Sequence, residues 1–166
     1  MTKIHELRLL VDKKCFDIIG ITESWCNEKI VDAEIHLSGY NLYRTDRKHG
    51  KGGGVLLYVR DKIKCISCEK LNGMEFDESH WAIITLENRR KILIGIVYKS
   101  TGSTNINNEN LLKLLMQTSK VANIDRTIIM GDFNFPELNF EWGLVDGSND
   151  SWAAKFFDCV QNLDLI

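Results

Sequence analysis

The run Thr127-Ile128-Ile129-Met130 constrains the fold of this chain most, because it is β-branched and apolar and then changes character abruptly at Gly131-Asp132-Phe133-Asn134-Phe135-Pro136. A short run of that kind is predicted to be a strand in the middle of a sheet covered on both faces. Gly131 allows close backbone approach, and Pro136 removes a donor and stops the pairing. Strand side chains alternate, so Asp132 and Asn134 are expected on one side and Phe133 on the other. A carboxylate and a carboxamide at the carboxyl end of a strand stand where open α/β sheets keep their ligand sites. The plainer alternative is an Asp-x-Asn turn closed on its own backbone.

Two further runs share this layout. Phe16-Asp17-Ile18-Ile19-Gly20-Ile21-Thr22 is predicted as a buried strand ending at the carboxylate of Glu23, and Ile92 to Tyr98 as a strand ending in a phenol. With those ends together, Glu23, Tyr98, Asp132 and Asn134 form a cleft of hard oxygen ligands and hydrogen-bond donors. Such a set suits Mg²⁺ (or Mn²⁺), which takes one or two carboxylates plus phosphate oxygens. The matching chemistry is phosphodiester hydrolysis: Glu23 on the metal, Asp132 on the attacking water, Asn134 and Tyr98 donating to the phosphorane. Singly, each has a structural role open to it, Glu23 as a cap and Tyr98 as packing at a sheet edge.

Between these runs, helices are predicted over Lys3–Lys14, Glu109–Val121 and from Asp150 or Ser151 to Val160, by apolar spacing and capping. Strands are expected at Gly39–Arg44, Val55–Val59, Ile63–Glu69 and Trp81–Leu86, the last pairing with Ile92–Tyr98 as a hairpin, so the sheet is mixed. The tail at Asn162–Ile166 is read as the start of another strand. Gly52-Gly53-Gly54 leads into a strand rather than a helix, so a glycine-rich hairpin loop competes with a phosphate cradle there. Cys65-x-x-Cys68 has no second pair, and alternation puts the two thiols on opposite faces, which makes them structural rather than half a zinc site. His5, His36, His49 and His80 are scattered, without ligand spacing.

The chain has 166 residues and a net charge of -2, enough length for one domain and no overall bias toward nucleic acid. The distribution is uneven: seven basic residues against two acids lie between Arg44 and Lys64, and seven acids against Lys155 from Asp132 onward. Arg44, Arg47, Lys48 and Lys51 are therefore the candidate phosphate-facing residues. Five irregularly spaced cysteines fit a reducing compartment, and neither a signal peptide nor a membrane-length apolar run is read, so an intracellular protein with no membrane partner is expected.

Five ordered blocks resemble the endonuclease/exonuclease/phosphatase superfamily, and within it the endonuclease domain of LINE-type (non-LTR) retrotransposons. They are Phe16–Trp25, Gly39–Arg47, Gly52–Val59, the strand ending Val97-Tyr98, and Gly131-Asp132-Phe133-Asn134. The resemblance implies an α/β fold, a two-layer mixed β-sandwich flanked by helices, across residues 1–166. It implies a divalent-metal nuclease that nicks DNA for a reverse-transcriptase domain of the same element, nuclear where it functions. It carries Glu23 to the metal ligand, Tyr98 to the tyrosine near the scissile phosphate, Asp132 to the aspartate that positions the nucleophile, and Asn134 to its partner. The family's early strand with its asparagine and its late Ser-Asp-His block have no counterpart here, so a domain truncated at both ends is expected. An apurinic repair nuclease or phosphoesterase of the same superfamily, or a non-catalytic nucleic-acid-binding remnant, are the alternatives. The truncated reading predicts slow nicking of supercoiled plasmid with Mg²⁺; a rate matching a complete family domain would overturn it.

Overall fold

The computed structural model describes residues 3–48, 51–76 and 78–165; His49 and the last position of the predicted tail strand lie outside them. The elements run α1 (Ile4–Lys13), β1 (Ile18–Thr22), α2 (Asp32–Ile35), β2 (Tyr40–Thr45), β3 (Val55–Arg60), β4 (Lys64–Ser67), α3 (Glu69–Asn72), β5 (Ser79–Thr85), β6 (Lys91–Tyr98), α4 (Asn105–Thr118), β7 (Arg126–Asp132), β8 (Leu138–Asn139), β9 (Leu144–Val145) and α5 (Trp152–Asn162). One sheet is antiparallel in the order β1-β3-β2. A second has the order β4-β5-β6-β7, antiparallel except for the parallel β6-β7 pair, which α4 connects, and β8 and β9 form a separate antiparallel pair. A parallel pair needs such a crossover, and the predicted mixed sheet is thus found.

Period-two alternation along the strands builds the layers. From β3, Val55, Leu57 and Val59 meet Ala82 and Ile84 of β5 and Ile94 and Ile96 of β6 between the two sheets. Leu56 and Tyr58 point the other way, into a second cluster with Ile4, Ile35 and Leu37 that seats α1 and α2. On the far side, Trp81, Leu93 and Val97 pack against Leu111, Leu114 and Leu115 of α4 and Phe156 and Val160 of α5. Helices therefore cover both outer faces of a two-sheet sandwich, as expected. Cys68 joins the helix-side cluster while Cys65 packs against the inter-sheet one, so the two thiols do occupy opposite faces.

Hydroxyl caps set where two of the helices start. Thr104 accepts from the Asn107 amide, which starts α4 four residues earlier than its apolar spacing indicates, and Ser151 accepts from the Ala154 amide at the head of α5. Residues 163–165 do not begin a strand; the Leu165 amide closes back on the Val160 carbonyl at 3.0 Å. The polar stretch from Leu71 to His80, between two predicted strands, holds the end of α3 and the start of β5. No helix among the described residues is long and apolar enough to cross a membrane.

The two runs read as buried, centrally placed strands are instead edges. β1 is only half-buried, and along β7 Ile128 is 44% exposed. Each pairs with a single neighbour among the described residues. An apolar run records a strand with two faces to cover, but the number of its neighbours is fixed by tertiary arrangement.

His80 sits between the sheets, its Nδ1 3.0 Å from the Thr45 hydroxyl and its Nε2 3.4 Å from the Ser67 hydroxyl. Burial lowers its pKa from 6.5 to about 4, so the native state holds it neutral while the unfolded chain protonates it at higher pH. The unfolded state binds more protons through that window, and stability is therefore lost as pH falls from about 6.5 to about 4, by roughly 3 kcal/mol for this group. Urea unfolding of the wild type and His80→Gln across that range should show a shallower pH slope in the variant; identical slopes would refute the assignment.

Candidate active site

Three strand ends converge on one rim of the sandwich. Thr22 of β1 is followed directly by Glu23, and Tyr98 closes β6 in register with Asp132 of β7. The Tyr98 hydroxyl donates to Glu23 Oε1, a short hydrogen bond that joins the end of one sheet to the end of the other. Trp25 Nε1 donates to the second carboxylate oxygen at 2.9 Å. These two bonds, Tyr98 first, hold the Glu23 carboxyl below its usual range despite its exposure, so it is anionic at neutral pH. Burial, reinforced by the adjacent carboxylate, pushes the Tyr98 phenol up to about 12, which keeps it a donor.

The Asp132 side of the site is built by a turn. The Asn134 amide donates to Asp132 Oδ1 at 3.0 Å, and Asn134 adopts the left-handed region with φ 47°. The Asp-x-Asn turn read as the plainer alternative is therefore present, and it orients the carboxylate rather than excluding it from a site. β7 ends at Asp132, so Asn134 is not placed by strand alternation; its Nδ2 donates to the Lys99 carbonyl at 2.8 Å. Phe133 does point to the helix side, stacking on Phe156 at 4.7 Å between centroids. Gly131 has φ 150°, and a Cβ there would lie 1.8 Å from the Val97 carbonyl oxygen, so only glycine carries the chain into this turn.

Sequence reasoning passed over three residues. Lys99, 5% exposed, donates its amide to the Asp132 carbonyl at 2.8 Å, and its ammonium lies 4.2 Å from the centre of the Phe135 ring. Burial lowers the Lys99 pKa, while Glu137 and Asp132 oppose that shift. Glu78, also buried, takes both forks of the Arg47 guanidinium, Nε and Nη2 each at 2.9 Å. Trp25, quoted above only as part of a block, is the donor to Glu23. A charged residue immediately beside a strand, as Glu78 is before β5 and Lys99 after β6, is the one signal that singles them out in sequence.

The basic candidates divide. Arg47 lies 6.0 Å from the centre of the Tyr98 ring and donates Nη1 to the Lys51 carbonyl, but its remaining forks belong to Glu78. Arg44 is committed to Asp46, to Asp32 at 2.8 Å and to the Ile30 carbonyl at 2.8 Å. Lys48 and Lys51 are exposed, and the Lys51 ammonium lies 6.0 Å from the Trp25 ring. The triple glycine forms the floor between these groups: a Cβ on Gly53 would fall 2.2 Å from Glu78 Oε1 and 2.5 Å from Arg47 Nε. The Gly53 and Gly54 carbonyls accept from the Trp25 and Ser24 amides, so the loop works as a structural brace, the hairpin-type reading of the two offered by sequence. Three of the six non-glycine residues with positive φ among those described, Glu23, Trp25 and Asn134, belong to this rim. Strain gathered in this way marks functional sites.

No protein-family model and no curated protein matches this sequence. Solved structures do match its shape. The endonuclease domain of TRAS1, a telomere-specific non-LTR retrotransposon, superposes with a TM-score of 0.66 at 14% identity, over 96% of this chain and 64% of that one. An endonuclease/exonuclease/phosphatase family protein from Bacteroides thetaiotaomicron gives a TM-score of 0.50 at 13% identity over 81% and 54% of the two chains. This chain has the endonuclease/exonuclease/phosphatase fold. The human Nocturnin catalytic domain, with a bound sulfate anion, shares that fold at a TM-score of 0.54 and 13% identity, over 92% of this chain and 58% of its own. The chain thus spans between about half and two thirds of the length of these solved relatives in fold.

Within this fold, the Arg47–Glu78 pair is a buried brace beneath the site rather than a free phosphate contact. Arg47→Ala leaves a buried carboxylate unpaired and is expected to cost roughly 3 kcal/mol or more in urea unfolding. Combining it with Glu78→Gln should cost less than the sum of the two single changes, because they share one interaction; strict additivity would sink the brace.

Proposed function

We propose that this chain is the metal-dependent DNA endonuclease domain of a LINE-type retrotransposon. The observation that carries the proposal is Tyr98, whose hydroxyl bonds the Glu23 carboxylate while its backbone stands in register with Asp132. On this reading a metal ligand, a phenolic donor and a base or water-orienting carboxylate come from the ends of three strands.

No group of three or more His, Cys, Asp or Glu side chains that could hold a metal ion occurs among the described residues. The donor chemistry still fits Mg²⁺ or Mn²⁺: Glu23 is an exposed, ionised hard-oxygen ligand, and such ions keep waters and borrow phosphate oxygens. Glu23 would hold the ion, whose contribution when bound is to polarise the phosphoryl oxygen and offset leaving-group charge. Asp132, oriented by the Asn134 turn, accepts a proton from the attacking water as its oxygen bonds to phosphorus and the P–O3′ bond breaks. The departing 3′ oxygen takes a proton from solvent water and remains as a primer hydroxyl, with a 5′ phosphate on the other side of the nick, and Asp132 returns its proton to solvent. The remaining amide hydrogen of Asn134 donates to the crowded phosphorane, and the single hydroxyl hydrogen of Tyr98 would do so on turning from Glu23 as that carboxylate takes the ion.

The likeness in fold to the TRAS1 endonuclease domain supports the retrotransposon branch over a repair nuclease or small-molecule phosphoesterase. On this reading the substrate is DNA, approached by Lys48 and Lys51, and the partner is a reverse-transcriptase domain of the same element, within the nucleus. Supercoiled plasmid should be nicked slowly with Mg²⁺ and not in EDTA, and Asp132→Asn or Glu23→Gln should lower the rate by about 10²-fold or more. Salt-dependent DNA binding without metal-dependent nicking would favour the binding-remnant reading.

A further inference from the structure

Trp25 is the residue on the rim that the catalytic roles leave unexplained. Its indole is 52% exposed and belongs to none of the three core clusters, so packing does not account for it. Its backbone is in the left-handed region, φ 56°, where bulky side chains are outliers. The conformation is held nonetheless: the Trp25 amide donates to the Gly53 carbonyl at 2.9 Å, and the indole Nε1 donates to Glu23 Oε2 at 2.9 Å. A large apolar ring is therefore fixed in position, in solvent, by a hydrogen bond to the carboxylate assigned to the phosphate chemistry.

Its surroundings suit a planar ligand next to a phosphate. A Cβ on Gly52 would stand 3.4 Å from indole Cε2, so the glycine backbone lies beside the ring and a side chain there would crowd it. The Lys51 ammonium lies over one face of the ring, 6.0 Å from its centre, so a base stacked on the opposite face would have a cation close to its backbone phosphate. Aromatic rings flanked by cations are the usual platform for unpaired bases, because every base offers a π-face.

We propose that Trp25 stacks on an unpaired nucleobase adjoining the scissile phosphate, with Lys51 on the neighbouring backbone, so that the preferred substrate is DNA unstacked at the nick. The proposal rests on the nuclease reading and extends it to the substrate's conformation. A base already out of the duplex avoids the cost of unstacking.

The test is binding in EDTA, measured by fluorescence anisotropy on three labelled duplexes: fully paired, with one unpaired base, and with an abasic tetrahydrofuran residue in place of that base. Wild-type protein should prefer the unpaired base over the abasic site by about tenfold, the range expected of one stacked base. Trp25→Ala should erase that preference, while Trp25→Tyr, which keeps a ring but removes the indole donor to Glu23, should retain most of it. Equal wild-type affinity for base-containing and abasic DNA overturns the proposal without reference to any variant's folding. So does a Trp25→Ala loss that is the same on both. Base-dependent binding together with absent nicking in Mg²⁺ would leave the platform standing and the nuclease reading fallen.

Discussion

The hydrogen bond between the Tyr98 phenol and the Glu23 carboxylate is the contact on which the rest of the site depends, because its two ends belong to different sheets. Apolar packing between β3, β5 and β6 holds the sandwich together but does not by itself set the position of groups at its rim. A directional, charge-assisted bond does. It lowers the pKa of the Glu23 carboxyl, adds to the burial that raises that of the Tyr98 phenol, and places both beside the strand that ends in Asp132.

A second layer holds that contact in place. Glu78 accepts both forks of Arg47, its carbonyl accepts the Tyr98 amide at 2.8 Å, and Gly53 leaves room for the pair. Lys99 does the same for the other carboxylate, through the Asp132 carbonyl and the Asn134 amide. Both are charged residues buried at strand ends, a placement that is costly unless the charge is compensated. The compensation here is local: a bidentate arginine for Glu78, and an aromatic face with weak carbonyl contacts for Lys99.

The strands and helices were largely legible because their signals are local. Alternation in Val55–Val59 and the helical spacing of Leu111, Leu114 and Leu115 each describe an element with one or two faces to bury, and those faces are buried. The errors arise where non-local geometry decides. β1 and β7 were read as covered strands, yet each lies at a sheet edge. The charge of Arg44 and Arg47 is legible in sequence while their partners are not, and Asp32, Asp46 and Glu78 reach them from across the fold or the turn. The tail turns back on α5 because the Val160 carbonyl is available there.

The sequence alone determined the carboxylates and phenol at strand ends, since an abrupt change from apolar to polar is written in consecutive residues. It also marked Gly131 as a point of close backbone approach, and the tertiary structure supplied the neighbour, the Val97 carbonyl that any side chain would strike. Only the tertiary structure decided that Tyr98 and Glu23, 75 residues apart, share one proton-bearing contact, and that Trp25 is pinned upright by the same carboxylate. The physical reason is range: side-chain periodicity reports which face a residue takes, whereas a hydrogen bond across two sheets depends on how the whole sandwich brings their ends together.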